Sequence, residues 1–93
     1  MNFMVDWRPD ALQDLAAIWV AAADQNAVAA ATHAIDQTLS VDPDTVGRLV
    51  FDTVREYHHP PLGVEFEVIH ADMRVWVLAV WELATGRPAV IVN

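Results

Sequence analysis

The chain has 93 residues, of which 55% are hydrophobic and 19% charged, so its composition is too apolar for intrinsic disorder. Thirteen Asp and Glu residues oppose five Arg residues with no Lys, which gives a formal net charge of −8. The absence of Cys excludes disulfides, thiolate nucleophiles and Cys-based zinc sites. The clustered cations typical of nucleic-acid-binding proteins are also missing, so nucleic acid is not expected as a strong direct ligand. We expect one acidic domain over residues 1–93.

Two further features bear on where the protein acts. No apolar run reaches the roughly 18 residues that a bilayer-spanning helix requires. The first ten residues carry acids rather than the basic start of a secretory signal. Together they predict a soluble, cytoplasmic protein without a membrane partner.

The front half of the chain predicts a strand followed by two helices. Residues 1–7 alternate in polarity, and Pro9 follows at a position typical of a helix start. The stretch ALQDLAAIWVAAA has helical periodicity, and its predicted core face consists of Leu12, Leu15, Ala16, Trp19 and Ala23. The stretch AVAAATHAIDQTLS predicts a second helix, whose core face consists of Val28, Ala31, Ile35 and Leu39.

The back half predicts an antiparallel meander. Strands are expected over residues 49–57, 64–70 and 73–81, with a loop over 58–63, a two-residue turn at 71–72 and a turn over 84–88. The apolar residues 89–92 could add a further short strand. With a two-residue turn, Val64, Phe66 and Val68 face Ala79, Val77 and Val75 on one apolar face that the helices cover. Trp81 is predicted to continue that inner face.

The outer face of the same hairpin mixes acids with large apolar side chains. Such a face is too apolar to be only solvated, and exposed apolar patches mark partner sites. The predicted partner-binding residues are Glu65, Glu67, Trp76, Leu78 and Val80. The alternative is that the tail of the chain covers this face.

Candidates for chemistry are few. Tyr57, His58 and His59 with Arg55 form the strongest local cluster, because His is frequent in acid–base sites. No metal site is predicted, since His33 with Asp36 or Gln37 supplies only two ligands on a helix face. No cofactor is predicted, and the chain lacks phosphate-binding and hydrolase motifs.

Three stretches of the sequence resemble the RelE/ParE superfamily of bacterial toxins, also called plasmid stabilisation proteins. They are VDWRPDALQDLAAIW, AIDQTLSVDPDTVG and PLGVEFEVIHADMRVWVLAVW, and they span nearly the whole chain in the family's order. The resemblance implies an α+β fold, in which an N-terminal strand and a two-helix hairpin pack on an antiparallel sheet (β-α-α-β-β-β). It also implies membership of a type II toxin–antitoxin pair and a protein antitoxin as partner. Another protein partner and a homodimer are alternatives that the sequence leaves open.

Three alternative functions remain open for a chain with this resemblance. RelE-type members cut mRNA in the ribosomal A site without a metal, and a nuclease of this kind would use Arg48, Arg55, His58, His59 and Arg74. The resemblance, however, puts Glu65 or its neighbour Val64 at the position where the nucleases carry an Arg, and a carboxylate there opposes chemistry at a phosphate. We therefore expect a toxin-like protein that acts by protein binding. The alternatives are a non-toxic adaptor or subunit with this fold and, third, the mRNA endonuclease.

Overall fold

A computed structural model describes residues 2–87 as a five-stranded sheet with two helices on one face. The elements in chain order are β1 (Met4–Trp7), α1 (Pro9–Ala21), α2 (Gln25–Val41), β2 (Arg48–Phe51), β3 (Val54–His59), β4 (Leu62–Ile69) and β5 (Arg74–Glu82). The strand order is β1-β5-β4-β3-β2, with β1 parallel to β5 and the other neighbours antiparallel. The predicted α+β architecture is confirmed, with one strand more than predicted.

Helix α2 supplies the helical side of the core as its sequence pattern predicts. The Asp24 side chain caps its start by accepting a hydrogen bond from the Ala27 backbone nitrogen at 3.0 Å. The predicted stripe is buried along its whole length: Val28, Ala31, Ile35 and Leu39. These four aliphatic residues form a single stripe on α2, so the periodicity identifies which side of the helix is buried.

The predicted core face of α1 is wrong except at Leu15. Leu12 and Trp19 are 51% and 44% exposed, and Ala16 and Ala23 are exposed as well. Leu15 packs on the core as predicted, and it is joined there by Ala11, Ile18 and the C-cap residue Ala22. Apolar residues surround most of this helix, so spacing alone could not decide which side meets the sheet.

The predicted strand over residues 49–57 is a hairpin of β2 and β3, which turns at Asp52 and Thr53. Asp52 has a φ of 51°, in the left-handed region that Asp tolerates better than most residues. The break in the strand folds Arg48 back beside Glu56, its cross-strand partner.

The predicted loop over residues 58–63 is much shorter than expected. Strand β3 continues to His59 and β4 begins at Leu62, so that only Pro60 and Pro61 lie between them. His59 pairs with Leu62, and the ladder continues from there along both strands. This tight connection sets the register of β3 on β4.

The β4–β5 hairpin follows the predicted register only in its first half. Its turn is a 3-10 turn over His70–Asp72 rather than two residues, and Met73 follows with a φ of 49°. Pairing proceeds as predicted from Val68 with Val75 to Phe66 with Val77.

A bulge at Leu78 then shifts the register by one residue, so Val64 pairs with Val80 instead of Ala79. The predicted outward position of Val80 is therefore wrong, since its side chain is buried in the core and only 3% exposed. Trp81 is buried as predicted but on the opposite face, because its cross-strand partner is Gly63. A bulge adds one residue to one strand and turns the following side chains to the other face.

Trp7 ties β1 to α2. Its indole nitrogen donates a hydrogen bond to Asp36 Oδ1 at 2.7 Å, and its ring packs against the core. No helix among residues 2–87 is long and apolar enough to cross a membrane. The predicted short strand over residues 89–92 lies outside the described residues.

Candidate functional site

The sheet face turned away from the helices, here called the open face, carries the polar groups of the sheet centre. Leu62, Val64 and Phe66 point to the helices and are fully buried, so the alternate positions of β4 point the other way. Cross-strand partners share a face. The open face of the three central strands therefore includes Glu56 and His58 from β3, Gly63, Glu65 and Glu67 from β4, and Trp76 and Trp81 from β5.

Two carboxylates occupy the middle of the open face. Glu56 and Glu65 lie directly opposite each other on β3 and β4, and each residue is only 9% exposed. Like charges directly opposite each other destabilise an antiparallel pair, and a carboxylate withdrawn from water needs a hydrogen-bonded counter-charge. The pair is therefore stable only if cations lie beside it.

The cations beside the pair are Arg87 and Arg48, and a histidine also contacts Glu56. Arg87 donates to both carboxylates, from Nη1 to Glu56 Oε1 at 3.4 Å and from Nη2 to Glu65 Oε2. On the other side of Glu56, Oε2 lies 2.7 Å from His58 Nε2 and 3.8 Å from Arg48 Nη2. The Arg48 side chain is 75% exposed, so Arg87 is the principal counter-charge of the pair.

An aromatic ring adjoins the carboxylate pair. The guanidinium carbon of Arg87 lies 5.4 Å from the centroid of the Trp81 ring, and the His58 ring meets that indole edge-on at 6.3 Å. Gly63, opposite Trp81 on β4, leaves space for the indole against the strand. Trp81 is consequently only 4% exposed although it lies on the open face.

A turn after β5 brings Arg87 to this position. The Leu83 backbone nitrogen donates to the Pro61 carbonyl at 2.9 Å, and the Gly86 nitrogen donates to the Glu82 carbonyl at 3.0 Å. Gly86 has a φ of 79°, which glycine adopts without steric cost.

The far end of the open face has a second aromatic–cation cluster. The guanidinium carbons of Arg8 and Arg74 lie 6.0 and 5.4 Å from the ring of Trp76. Arg74 also forms an ion pair with Asp6 on β1. The outward position predicted for Trp76 is confirmed, and its side chain is half-buried.

Comparison with known proteins places this geometry on a known fold. No protein-family model and no curated protein sequence matches the chain. Among solved structures, the RelBE2 toxin–antitoxin complex of Mycobacterium tuberculosis gives a TM-score of 0.76 at 17% identity, covering 90% of this chain and 94% of that one. A free E. coli RelE toxin with two arginines replaced by alanine gives 0.67 at 11% identity, covering 91% and 87%. The chromosomal ParDE system of P. aeruginosa gives 0.61 at 20% identity, covering 86% and 95%.

The chain has the RelE/ParE toxin fold. The resemblance expected from three short stretches of sequence is thus confirmed at the level of the fold, across nearly the whole chain. The order of a strand, a helical hairpin and an antiparallel-dominated sheet is the one that the resemblance implied.

On this RelE/ParE fold, the five residues predicted for a nuclease do not converge. Arg48 and His58 meet at Glu56 on the open face. Arg74 lies at the far end of that face, in its ion pair with Asp6.

The other two predicted residues, Arg55 and His59, lie on the helix side of β3. Arg55 donates to the carbonyls of Val46 and Gly47 at 3.1 and 3.3 Å, and so anchors the loop before β2. His59 Nδ1 lies 3.5 Å from the Tyr57 hydroxyl. The predicted cluster of Tyr57, His58 and His59 is therefore divided between the two faces of the sheet, because neighbouring residues of a strand point in opposite directions.

Most of the predicted partner-binding residues are on the open face of the RelE/ParE sheet. Glu65 and Trp76 belong to the two clusters described above, and Glu67 accepts a hydrogen bond from the Thr53 hydroxyl. Leu78 is half-buried at the bulge. Val80 does not belong to this surface, since the bulge turns it into the core.

Two residues of the central cluster were missing from the sequence prediction, Glu56 and Arg87. Neither has a local motif. They could have been found only from the β3–β4 register, because a nearby cation is required once Glu56 faces Glu65. Arg87 lies in the predicted turn over residues 84–88, where no pattern links it to the sheet.

An apolar groove lies between α1 and α2. It has a volume of about 660 Å³ and is lined by Leu12, Leu15, Ala16, Trp19, Val20, Val28, Ala29, Thr32, His33 and Asp36. Val20 is 72% exposed at this groove, and the misassigned Leu12 and Trp19 line it. Within residues 2–87, no three His, Cys, Asp or Glu side chains are arranged to hold a metal ion.

Proposed function

We propose that the chain is the toxin-like component of a bacterial type II toxin–antitoxin pair, and that it acts in the cytoplasm by binding proteins rather than by cutting RNA. The fold supports the first part, since the similar structures are the toxin–antitoxin complex RelBE2, the RelE toxin and the ParDE system. A protein antitoxin is the expected partner.

The observation that carries the second part is the carboxylate pair at the centre of the open face. Cleavage of RNA requires stabilisation of negative charge that develops on the phosphate. Glu56 and Glu65 put negative charge at the centre of the open face instead, and the nearby Arg87 is engaged with both of them. The net charge of −8 adds long-range repulsion of a transcript.

An apolar groove and one aromatic side chain support protein binding. The α1–α2 groove exposes Trp19 and Val20, and amphipathic helices bind in apolar grooves in helix-in-groove recognition. Trp76 offers an aromatic anchor on the open face, and Trp is among the residues that dominate interface energies.

The test is to express the chain with and without the product of the adjacent reading frame. We expect a stoichiometric complex on size-exclusion chromatography and growth arrest that the neighbour relieves. Primer extension on cellular mRNA should show no new cleavage sites. Codon-periodic cleavage on translating ribosomes would contradict the proposal. Light scattering of the purified chain would also decide whether it forms a homodimer.

The first alternative, a non-toxic adaptor or subunit, is favoured by the same carboxylate pair, because such a protein has no need of a basic face. A chain that leaves growth unaffected and has no small binding partner encoded beside it would support the adaptor. Growth arrest relieved by a neighbour would exclude it.

The second alternative, the mRNA endonuclease, is favoured by the contact between Glu56 and His58. A carboxylate and an imidazole 2.7 Å apart can act as base and acid, and Arg48 beside them could contact a phosphate. If RNA is cut, Arg48→Ala and His58→Ala should abolish cutting. His59→Ala, on the helix side of the same strand, is the matched control and should leave it intact.

A further inference from the structure

We propose that Glu56, Glu65 and Trp81 form a binding pocket for a guanidinium group, which Arg87 fills in the free chain and an arginine of a bound protein fills in the complex. This inference rests on the proposed function, because it assumes that the chain acts by protein binding. It specifies which chemical group of the partner binds at one place on the open face.

The three residues that form the walls of the pocket are held in place by the central strands of the sheet. Glu56, Glu65 and Trp81 come from β3, β4 and β5, the central strands of the sheet, and their positions follow from the ladder. The side chains of the two glutamates are only 9% and 11% exposed. Two carboxylates on adjacent strands match the planar, multidentate fork of a guanidinium, whereas a lysine ammonium is a compact point charge.

The aromatic wall gives the pocket its preference for a flat cation. Trp81 lies beside the guanidinium of Arg87, and a guanidinium stacks on an indole face more readily than an ammonium does. His58 holds the second oxygen of Glu56 through its Nε2 and contacts the edge of the indole. It therefore fixes two of the three walls.

The occupant is the replaceable part of the arrangement. Arg87 belongs to no strand, and its side chain is 42% exposed, against about a tenth for the glutamates that it contacts. Exposed residues outside the ladder of a sheet open at lower free-energy cost than residues of its central strands. Arg87 can therefore leave while the pocket remains.

The charge of the protein favours an arginine-bearing partner. A chain with thirteen acids and five arginines attracts basic segments at long range. The two buried carboxylates of the pocket need a cation at all times. An arginine of the partner segment would take the place of Arg87, so that neither carboxylate is left unpaired.

Chemical rescue tests the pocket without any partner. In Arg87→Ala the carboxylates lose their principal counter-charge, and we expect the melting temperature to fall. Methylguanidinium at low millimolar concentration should raise that temperature by several degrees, and methylammonium at equal ionic strength should raise it much less. Equal responses to the two cations, or none, would overturn the proposal. If Arg87→Ala does not fold, as judged by circular dichroism, Arg87→Gln takes its place.

The matched control is the triple variant Arg87→Ala, Glu56→Gln, Glu65→Gln, which keeps the shape of the pocket and removes its charge. It should show no specific response to methylguanidinium. The wild-type chain should also respond weakly, since Arg87 already fills the site.

The exchange itself is tested on the product of the adjacent reading frame. Removal of the internal competitor by Arg87→Ala should tighten the complex, because the free pocket no longer has to be vacated. Glu56→Gln with Glu65→Gln should weaken it by about tenfold or more, as expected for loss of a buried arginine contact. A complex that is insensitive to both variants overturns the exchange. If no partner binds, the proposed function fails, while the rescue experiment still decides whether the pocket takes a guanidinium.

Discussion

Gly63 on β4 lies directly against the indole ring of Trp81 on β5. A Cβ atom built on Gly63 would fall 2.7 Å from the Cε2 and Nε1 atoms of that ring, closer than real contacts allow. The missing side chain is therefore what lets Trp81 lie on the open face beside the Glu56–Glu65 pair. Because β4 and β5 are central strands, neither backbone can move aside easily.

We expect Gly63→Ala to destabilise the fold by about 1–3 kcal/mol, the usual cost of overpacking. Urea unfolding measures this free energy, and Trp fluorescence reports displacement of the ring. The same substitution in a Trp81→Leu background should cost clearly less, since the smaller side chain leaves room. Equal costs in the two backgrounds would mean that the ring is not what Gly63 accommodates.

The two ion pairs of the central cluster should differ in strength. Arg87 and Glu65 are hydrogen-bonded, with the glutamate side chain 11% exposed, whereas Arg48 is 75% exposed and 3.8 Å from Glu56. Double-mutant cycles should give a coupling energy of about 1–3 kcal/mol for Arg87 with Glu65 and of about 0–0.5 kcal/mol for Arg48 with Glu56. Added salt should weaken the second coupling more than the first. A stronger coupling for Arg48 would contradict this picture of the site.

The fold could be predicted where the sequence offers a single apolar face. The α2 stripe of Val28, Ala31, Ile35 and Leu39 is such a case, and all four residues are buried. On α1 the pattern failed, because Leu12 and Trp19 form an apolar face of their own that lines the groove. Periodicity detects apolar faces, but it cannot state which of two will meet the sheet.

The central site could not be predicted because it depends on register. Residues 75–81 are all hydrophobic, so no change in the sequence pattern marks the bulge at Leu78 that turns Val80 inward and Trp81 outward. Likewise, Glu56 faces Glu65 only because β3 and β4 are joined by two prolines alone. Arg87 then becomes necessary for reasons of charge, which no local pattern records.

Two neighbouring residues test which side of α1 packs on the core. Ile18 packs against the core, whereas Trp19 is 44% exposed at the groove. Truncation of Ile18 to Ala should cost about 2–3 kcal/mol, and truncation of the much larger Trp19 should cost about 1 kcal/mol or less. Thermal or urea unfolding gives both values. A larger loss of stability for Trp19→Ala than for Ile18→Ala would instead support the core face expected from the sequence.

We expect the hydrogen bond from Trp7 to Asp36 to stabilise the packing of α2 against β1. It joins residues 29 positions apart at 2.7 Å and is partly buried. Asp36→Ala should cost about 1–2 kcal/mol, because it leaves the indole N–H without its partner. Trp7→Phe in the Asp36→Ala background should cost less than in the wild type, since the N–H no longer has a bond to lose. Additive costs would show that the two side chains do not interact.

The contribution of Trp76 to partner binding should exceed its contribution to the fold. Its ring is half-buried between the guanidinium groups of Arg8 and Arg74, at 6.0 and 5.4 Å, so those side chains already cover part of it. Trp76→Ala should lower the free energy of unfolding by about 1–2 kcal/mol, less than truncation of a buried Trp costs. If Trp76 anchors the partner, the same change should weaken the complex by more than about 2 kcal/mol, or roughly thirtyfold. Calorimetric titration with the adjacent-frame product measures this effect, and Val41→Ala, an exposed position at the end of α2, is the control. An unchanged affinity would remove Trp76 from the interface and leave the α1–α2 groove as the principal docking surface.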